Sequence, residues 1–97
     1  MKLTKEQWQN YLDVGNRDNN RCQVCSKQGT EVHHILGRRS NPALKYDKNN
    51  LILLCKKHHN YAGAYQNQFK LWFANEYPER WKYLNRVKNI VKYKGEL

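Results

Sequence analysis

The residues able to do chemistry sit in a divided cysteine–histidine framework. Cys22-x-x-Cys25 comes early, and Cys55-Lys56-Lys57-His58-His59 follows a short apolar run. Between them stand the pair His33-His34 and, just before the apolar run, Asn50. Two ligand pairs at this spacing can clamp one tetrahedral zinc ion. Assigning Cys22, Cys25, Cys55 and His58 to that ion leaves His33, His34, Asn50 and His59 on segments the same metal would tie together. A structural clip beside an unspent histidine cluster points to metal-dependent chemistry. His59 is the alternative fourth zinc ligand; helical geometry and the x2 spacing favour His58.

The elements that must position these groups are short. Thr4-x-x-Gln7 reads as a capping box opening a helix with Trp8, Tyr11 and Leu12 on one face, broken by the stretch from Gly15 to Asn20. Residues 30–36 read as a strand, residues 37–50 as a long polar loop containing Pro42, and Leu51 to Leu54 as a buried second strand. From Lys56 the pattern turns helical, with Gly63 expected to end or kink the first helix. Tyr65, Phe69, Trp72, Phe73 and Tyr77 then recur at helical steps. Such a stripe could stack on bases, but aromatics at this spacing are more often core. Pro78 suits the first turn of a final helix with Trp81, Leu84, Val87 and Val91 on one face. Lys82, Arg86, Lys88, Lys92 and Lys94 line its polar side, either against phosphates or as solvation.

Composition bounds the answer. The 97 residues suffice for a single domain with one modest core, a size at which zinc makes a useful staple. Three cysteines fit a Cys3His zinc site better than a disulfide framework. Eighteen Lys and Arg against eight Asp and Glu give a formal charge of +10, a vote for a polyanionic partner. No secretory leader is apparent and no stretch approaches the roughly 20 apolar residues of a membrane span, so no membrane partner is expected. The chain reads as soluble, reduced and cytoplasmic.

Taken in order, Cys22-x-x-Cys25, Val32-His33-His34-Ile35, Asn50-Leu51 and Leu54-Cys55-x-x-His58-His59 resemble the HNH endonucleases over about residues 20–62. The nine positions from Asn50 to His59 are the spacing that family prefers. His58 stands where zinc-bearing members usually carry a fourth cysteine, and histidine is an acceptable ligand there. The resemblance implies an α+β fold: a small ββα-metal finger with structural zinc, flanked by N-terminal and C-terminal helices. Residues 1–97 would form one nuclease domain, with residues 64–94 a helical extension like that of small phage nucleases.

The implied activity is metal-dependent hydrolysis of DNA phosphodiester bonds, nicking or cutting. His34 would be the general base, while His33 and His59 hold one catalytic divalent metal. Asn50 would tether the long loop across the finger and orient the backbone beside the base. Neighbouring residues of a strand point to opposite faces, which suits different roles for His33 and His34. The working metal is expected to be Mg²⁺ or Mn²⁺, with Ni²⁺ and Zn²⁺ as other candidates. Arg38, Arg39, Lys56 and Lys57 are the candidate DNA contacts, and no residue set resembles a base-reading code, so sequence preference should be weak. Beyond DNA, phage or host recombination and packaging proteins are candidate partners. The reading from another class is a zinc-stabilised nucleic-acid-binding module without catalysis. A bacteriocin-like toxin would use the same site, but no receptor or translocation segment is read in this sequence, so that function is not expected.

Overall fold

The computed structural model describes residues 4–95, with side chains through residue 88. In chain order it contains α1 (Lys5–Arg17), β1 (Glu31–His34), β2 (Leu51–Leu54), α2 (Lys56–Ala64), α3 (Gln66–Glu76) and α4 (Pro78–Gly95). Two 3-10 turns, Pro42–Leu44 and Lys48–Asn50, give the long loop its shape. The two strands pair antiparallel, His33 opposite Ile52 and His34 opposite Leu51. This is an α+β architecture in which a ββα unit is flanked by helices at both ends.

The capping box forms as the sequence implies. Thr4 Oγ1 accepts from Gln7 N at 3.1 Å, and Gln7 Oε1 accepts from Thr4 N at 3.0 Å. Two details differ. The helix runs through Gly15 and Asn16, because the true stop is Asn19 and Asn20, at φ 56° and 57°. Its buried face is also rotated. Val14 is buried and Tyr11 packs beside it, whereas Trp8 is 57% and Leu12 45% exposed. Tyr11, Val14 and Asp18 form one stripe at helical spacing, and that stripe meets the sheet.

Strand β1 is shorter than residues 30–36. Ile35 and Leu36 leave the ladder because Asn50 captures both of their amides, Ile35 N through its carbonyl and Leu36 N through Oδ1. All four residues of β2 are buried, since each face of the hairpin is covered. Leu51 and Leu53 pack with Val14 and Val32, whereas Ile52 and Leu54 join a larger cluster with Ala62, Phe69, Phe73 and Leu84. Burying each such side chain is worth about 1.5–3 kcal/mol.

Helix α2 continues past Gly63 and ends at Ala64, where Tyr65 leaves helical geometry. The aromatic stripe is mainly core. Phe69 and Phe73 are buried and Trp72 and Tyr77 pack against them, but Tyr65 is 53% exposed. On α4, Leu84 is buried with Trp81 and Val87 beside it, while Lys82, Arg86 and Lys88 are exposed. The side chains of Val91, Lys92 and Lys94 lie outside the described residues.

A buried polar cluster joins the ends of the chain to the hairpin. The Asp18 carboxylate accepts from Leu53 N at 2.9 Å and from Arg17 Nε at 2.8 Å. Arg17 and Arg80 both donate to the Leu51 carbonyl, at 2.6 and 2.8 Å. Arg80 also lies over the rings of Phe73 and Tyr77, each 5.0 Å away. Burial, reinforced by Arg17, pushes the Arg80 guanidinium down to about 10. Both arginines thus hold the hairpin through the Leu51 carbonyl.

Candidate active site

Four ligand atoms converge at one end of the hairpin. The sulfurs of Cys22, Cys25 and Cys55 and one ring nitrogen of His58 all lie within 4.8 Å of one another. Cys55 Sγ is 3.3 Å and Cys22 Sγ 3.7 Å from His58 Nδ1, and Cys25 Sγ is 3.9 Å from Cys55 Sγ. A tetrahedral zinc with Zn–S of about 2.3 Å requires ligand separations of roughly 3.5–3.8 Å. The cluster fits that ion, and all three cysteines are free thiols.

Local structure explains the convergence. Residues around Cys22 and Cys25 fold into a tight knuckle in which Ser26 N donates to Cys22 O at 2.8 Å, with Ser26 at φ 66°. Gly29 lets the chain pass close to β2, since a Cβ there would lie 2.5 Å from Leu53 Cδ2. Cys55 is the N-cap of α2, so His58 returns to the same side one turn later.

One residue on, His59 points elsewhere. Its ring stands edge-on to His33 with centroids 5.3 Å apart and planes at 83°. Two imidazoles bound to one ion at about 2.1 Å place their centroids roughly 5 Å apart, so this pair can share a divalent metal. Among the described residues the cysteine-rich cluster is the only metal-binding group of three or more side chains. A metal between His33 and His59 would thus draw its other ligands from water and substrate. Phe69 walls the far side of His33, with centroids 5.0 Å apart. Burial, followed by the nearby His59, His34 and Lys70, pushes His33 down to about 4.

His34, the next residue of β1, is held by backbone. Its Nε2 lies 2.9 Å from the Lys45 carbonyl. Burial lowers its pKa below the ordinary imidazole value; the Lys45 bond opposes that shift and the Arg38 charge adds to it. Asn50 is fully buried and spends its carboxamide on the loop. Oδ1 accepts from Leu36 N at 2.8 Å, while Nδ2 donates to Leu36 O and Leu44 O, both at 3.1 Å. Asn50 thereby fixes the carbonyl one residue before the one His34 uses.

His33 and His34 line a cavity of about 100 Å³ with Ile35, Gly37, Ala62, Gln66, Phe69 and Lys70. Such an arrangement can move a proton beside a bound metal. Residues 22–64 match the model of the HNH endonuclease family. That segment is similar to an HNH domain. No curated protein and no solved structure matched the chain. The HNH segment begins at the first zinc-cluster cysteine and ends with α2, so it contains every residue the sequence nominated for zinc, base, tether and metal. That match points to a nuclease, a hydrolase.

The nominated DNA contacts are placed less centrally. Arg38, Arg39, Lys56 and Lys57 are all exposed. None of them lines the histidine cavity of the HNH segment; the cation that does is Lys70, from the helix beyond it. Sequence reasoning missed Lys70 and Gln66 because they sit on the polar side of an aromatic helix with no motif of their own. No described helix is long and apolar enough to cross a membrane.

Proposed function

We propose that residues 1–97 act as one metal-dependent DNA endonuclease domain, hydrolysing phosphodiester bonds with little sequence preference. The observation that carries this reading is the hydrogen bond from His34 to the Lys45 carbonyl. A carbonyl only accepts, so Nε2 bears the proton, and in the neutral ring Nδ1 is left as the basic nitrogen. The tautomer is assigned from this bond. Burial keeps the ring neutral near pH 7, the state a general base requires to take a proton from an attacking water. Asn50 is the positioning residue, acting through the loop backbone.

His33 and His59 would hold one divalent cation, Mg²⁺ or Mn²⁺, with Ni²⁺ and Zn²⁺ as alternatives; Cys22, Cys25, Cys55 and His58 would hold structural zinc. The divalent cation would supply Lewis-acid polarisation of the phosphoryl group and offset charge on the departing oxygen. The formal charge of +10 favours DNA as the substrate, with Arg38, Arg39, Lys56 and Lys57 at its backbone.

Conversion of supercoiled plasmid with added Mg²⁺ or Mn²⁺ tests this, with His34→Ala run in parallel. Relaxed or linear product from the parent alone, and only with metal, is the expected result. Equal cutting by His34→Ala removes the base assignment. Intact plasmid in every lane, with DNA still bound, leaves a zinc-stabilised binding module.

A further inference from the structure

The histidine cavity has an open neighbour. A groove of about 610 Å³ begins at Gly37, Gln66 and Lys70, three residues that also line the cavity. It continues past Ser40 and Asn41 to Lys88 on α4. Among the described residues no Asp or Glu lines either space, while hydroxyl, amide and ammonium groups do. This is the donor set that proteins direct at phosphate and sugar oxygens.

Lys70 stands at the junction. It is half-buried on α3, beyond the segment that matches the family. Among the described residues Lys48 pairs with Asp13, Lys82 with Glu79 and Arg17 with Asp18, but Lys70 has no carboxylate partner. A half-buried lysine with no carboxylate partner, lining a cavity where no described residue is acidic, favours an anion. A strand whose scissile phosphate lies by His33 and His34 would bring a phosphate to that ammonium.

We propose that Lys70 binds a backbone phosphate of the DNA at or beside the scissile position, and that the groove from Gln66 to Lys88 carries the adjoining strand. The helices after the family segment then serve as part of the substrate-binding surface. This inference rests on the DNA reading above, yet its test requires no cleavage.

Binding of a fluorescently labelled DNA duplex is followed against KCl concentration, using zinc-loaded His34→Ala protein as the reference. Lys70→Gln in that background should lower the log–log salt slope by about 0.9 and weaken binding about eightfold at 0.1 M salt. Lys70→Arg should keep the reference slope. Lys5→Gln, on α1 across the sheet from the groove, should also keep it. A reference slope in Lys70→Gln, or an equal fall in Lys5→Gln, overturns the assignment. Should Lys70→Gln lose zinc, Lys88→Gln carries the test for the groove, with the same expected fall and the same overturning result. A slope change confined to Lys70, where the parent with intact His34 cuts no plasmid, would retain the strand path and discard the nuclease. The reverse pattern would retain the nuclease and discard the strand path.

Discussion

Replacing Asn50 with Ala probes the link between folding and the candidate base. The change removes one acceptor and two donated bonds, stranding Leu36 N, Leu36 O and Leu44 O in a site where Asn50 itself has no exposed surface. A buried backbone group left unpaired costs about 1–3 kcal/mol, and some relaxation of the loop will return part of that. We expect a net loss of about 3–5 kcal/mol, a large share of the roughly 5–15 kcal/mol that holds a domain this size. With a urea slope of about 1–3 kcal/mol per molar, the unfolding midpoint should fall by roughly 2 M at fixed free zinc. Tryptophan fluorescence follows the transition. Because the same loop presents the Lys45 carbonyl to His34, plasmid cleavage should fall about tenfold or more where the variant is still folded. Asn60→Ala, exposed on α2, serves as the control. An Asn50→Ala protein with the parental midpoint and the parental cleavage rate would refute the tether and its role in orienting the base.

The two histidines of α2 should separate by metal: His58→Ala loses bound zinc, whereas His59→Ala keeps one zinc per chain and loses cleavage, as read by zinc analysis and plasmid assay. Cys25→Ala, or strong chelation of the parent, should unfold the chain, seen as lost far-ultraviolet helical signal, because metal binding and folding are coupled in small zinc domains. Arg80→Ala removes donors to Leu51 O and Asn49 O and a cation over two rings, and should cost about 2–4 kcal/mol in urea unfolding without altering zinc content. Gly29→Ala should be destabilised by about 1–3 kcal/mol by overpacking against Leu53, again by urea midpoint.

What the sequence made legible was local. Cys22 with Cys25, and Cys55 with His58, reveal themselves through spacing that one knuckle or one helical turn enforces. Leu51–Leu54 declares burial by being apolar throughout. Tertiary choices were harder to read. Trp8 and Leu12 look like the inner face of α1, but the sheet selects Val14 and Tyr11, which share a stripe with Asp18. Nothing near Asp18 in sequence announces that Leu53 N will meet its carboxylate, or that Arg80 will reach Leu51 from 29 residues away. The partner of His34 is a backbone carbonyl, which has no residue-type signature. Lys70 is one lysine among many until the fold sets it against His33.

The order of elements along the chain has a consequence for synthesis on the ribosome. All four zinc-cluster residues have been made by His58, before Phe69, Phe73 and Leu84, which cover Ile52 and Leu54, have been added. A nascent chain can therefore be clipped by metal while one side of its hairpin is still bare. That apolar side stays open to chaperones, proteases and neighbouring chains until α3 and α4 arrive to close it.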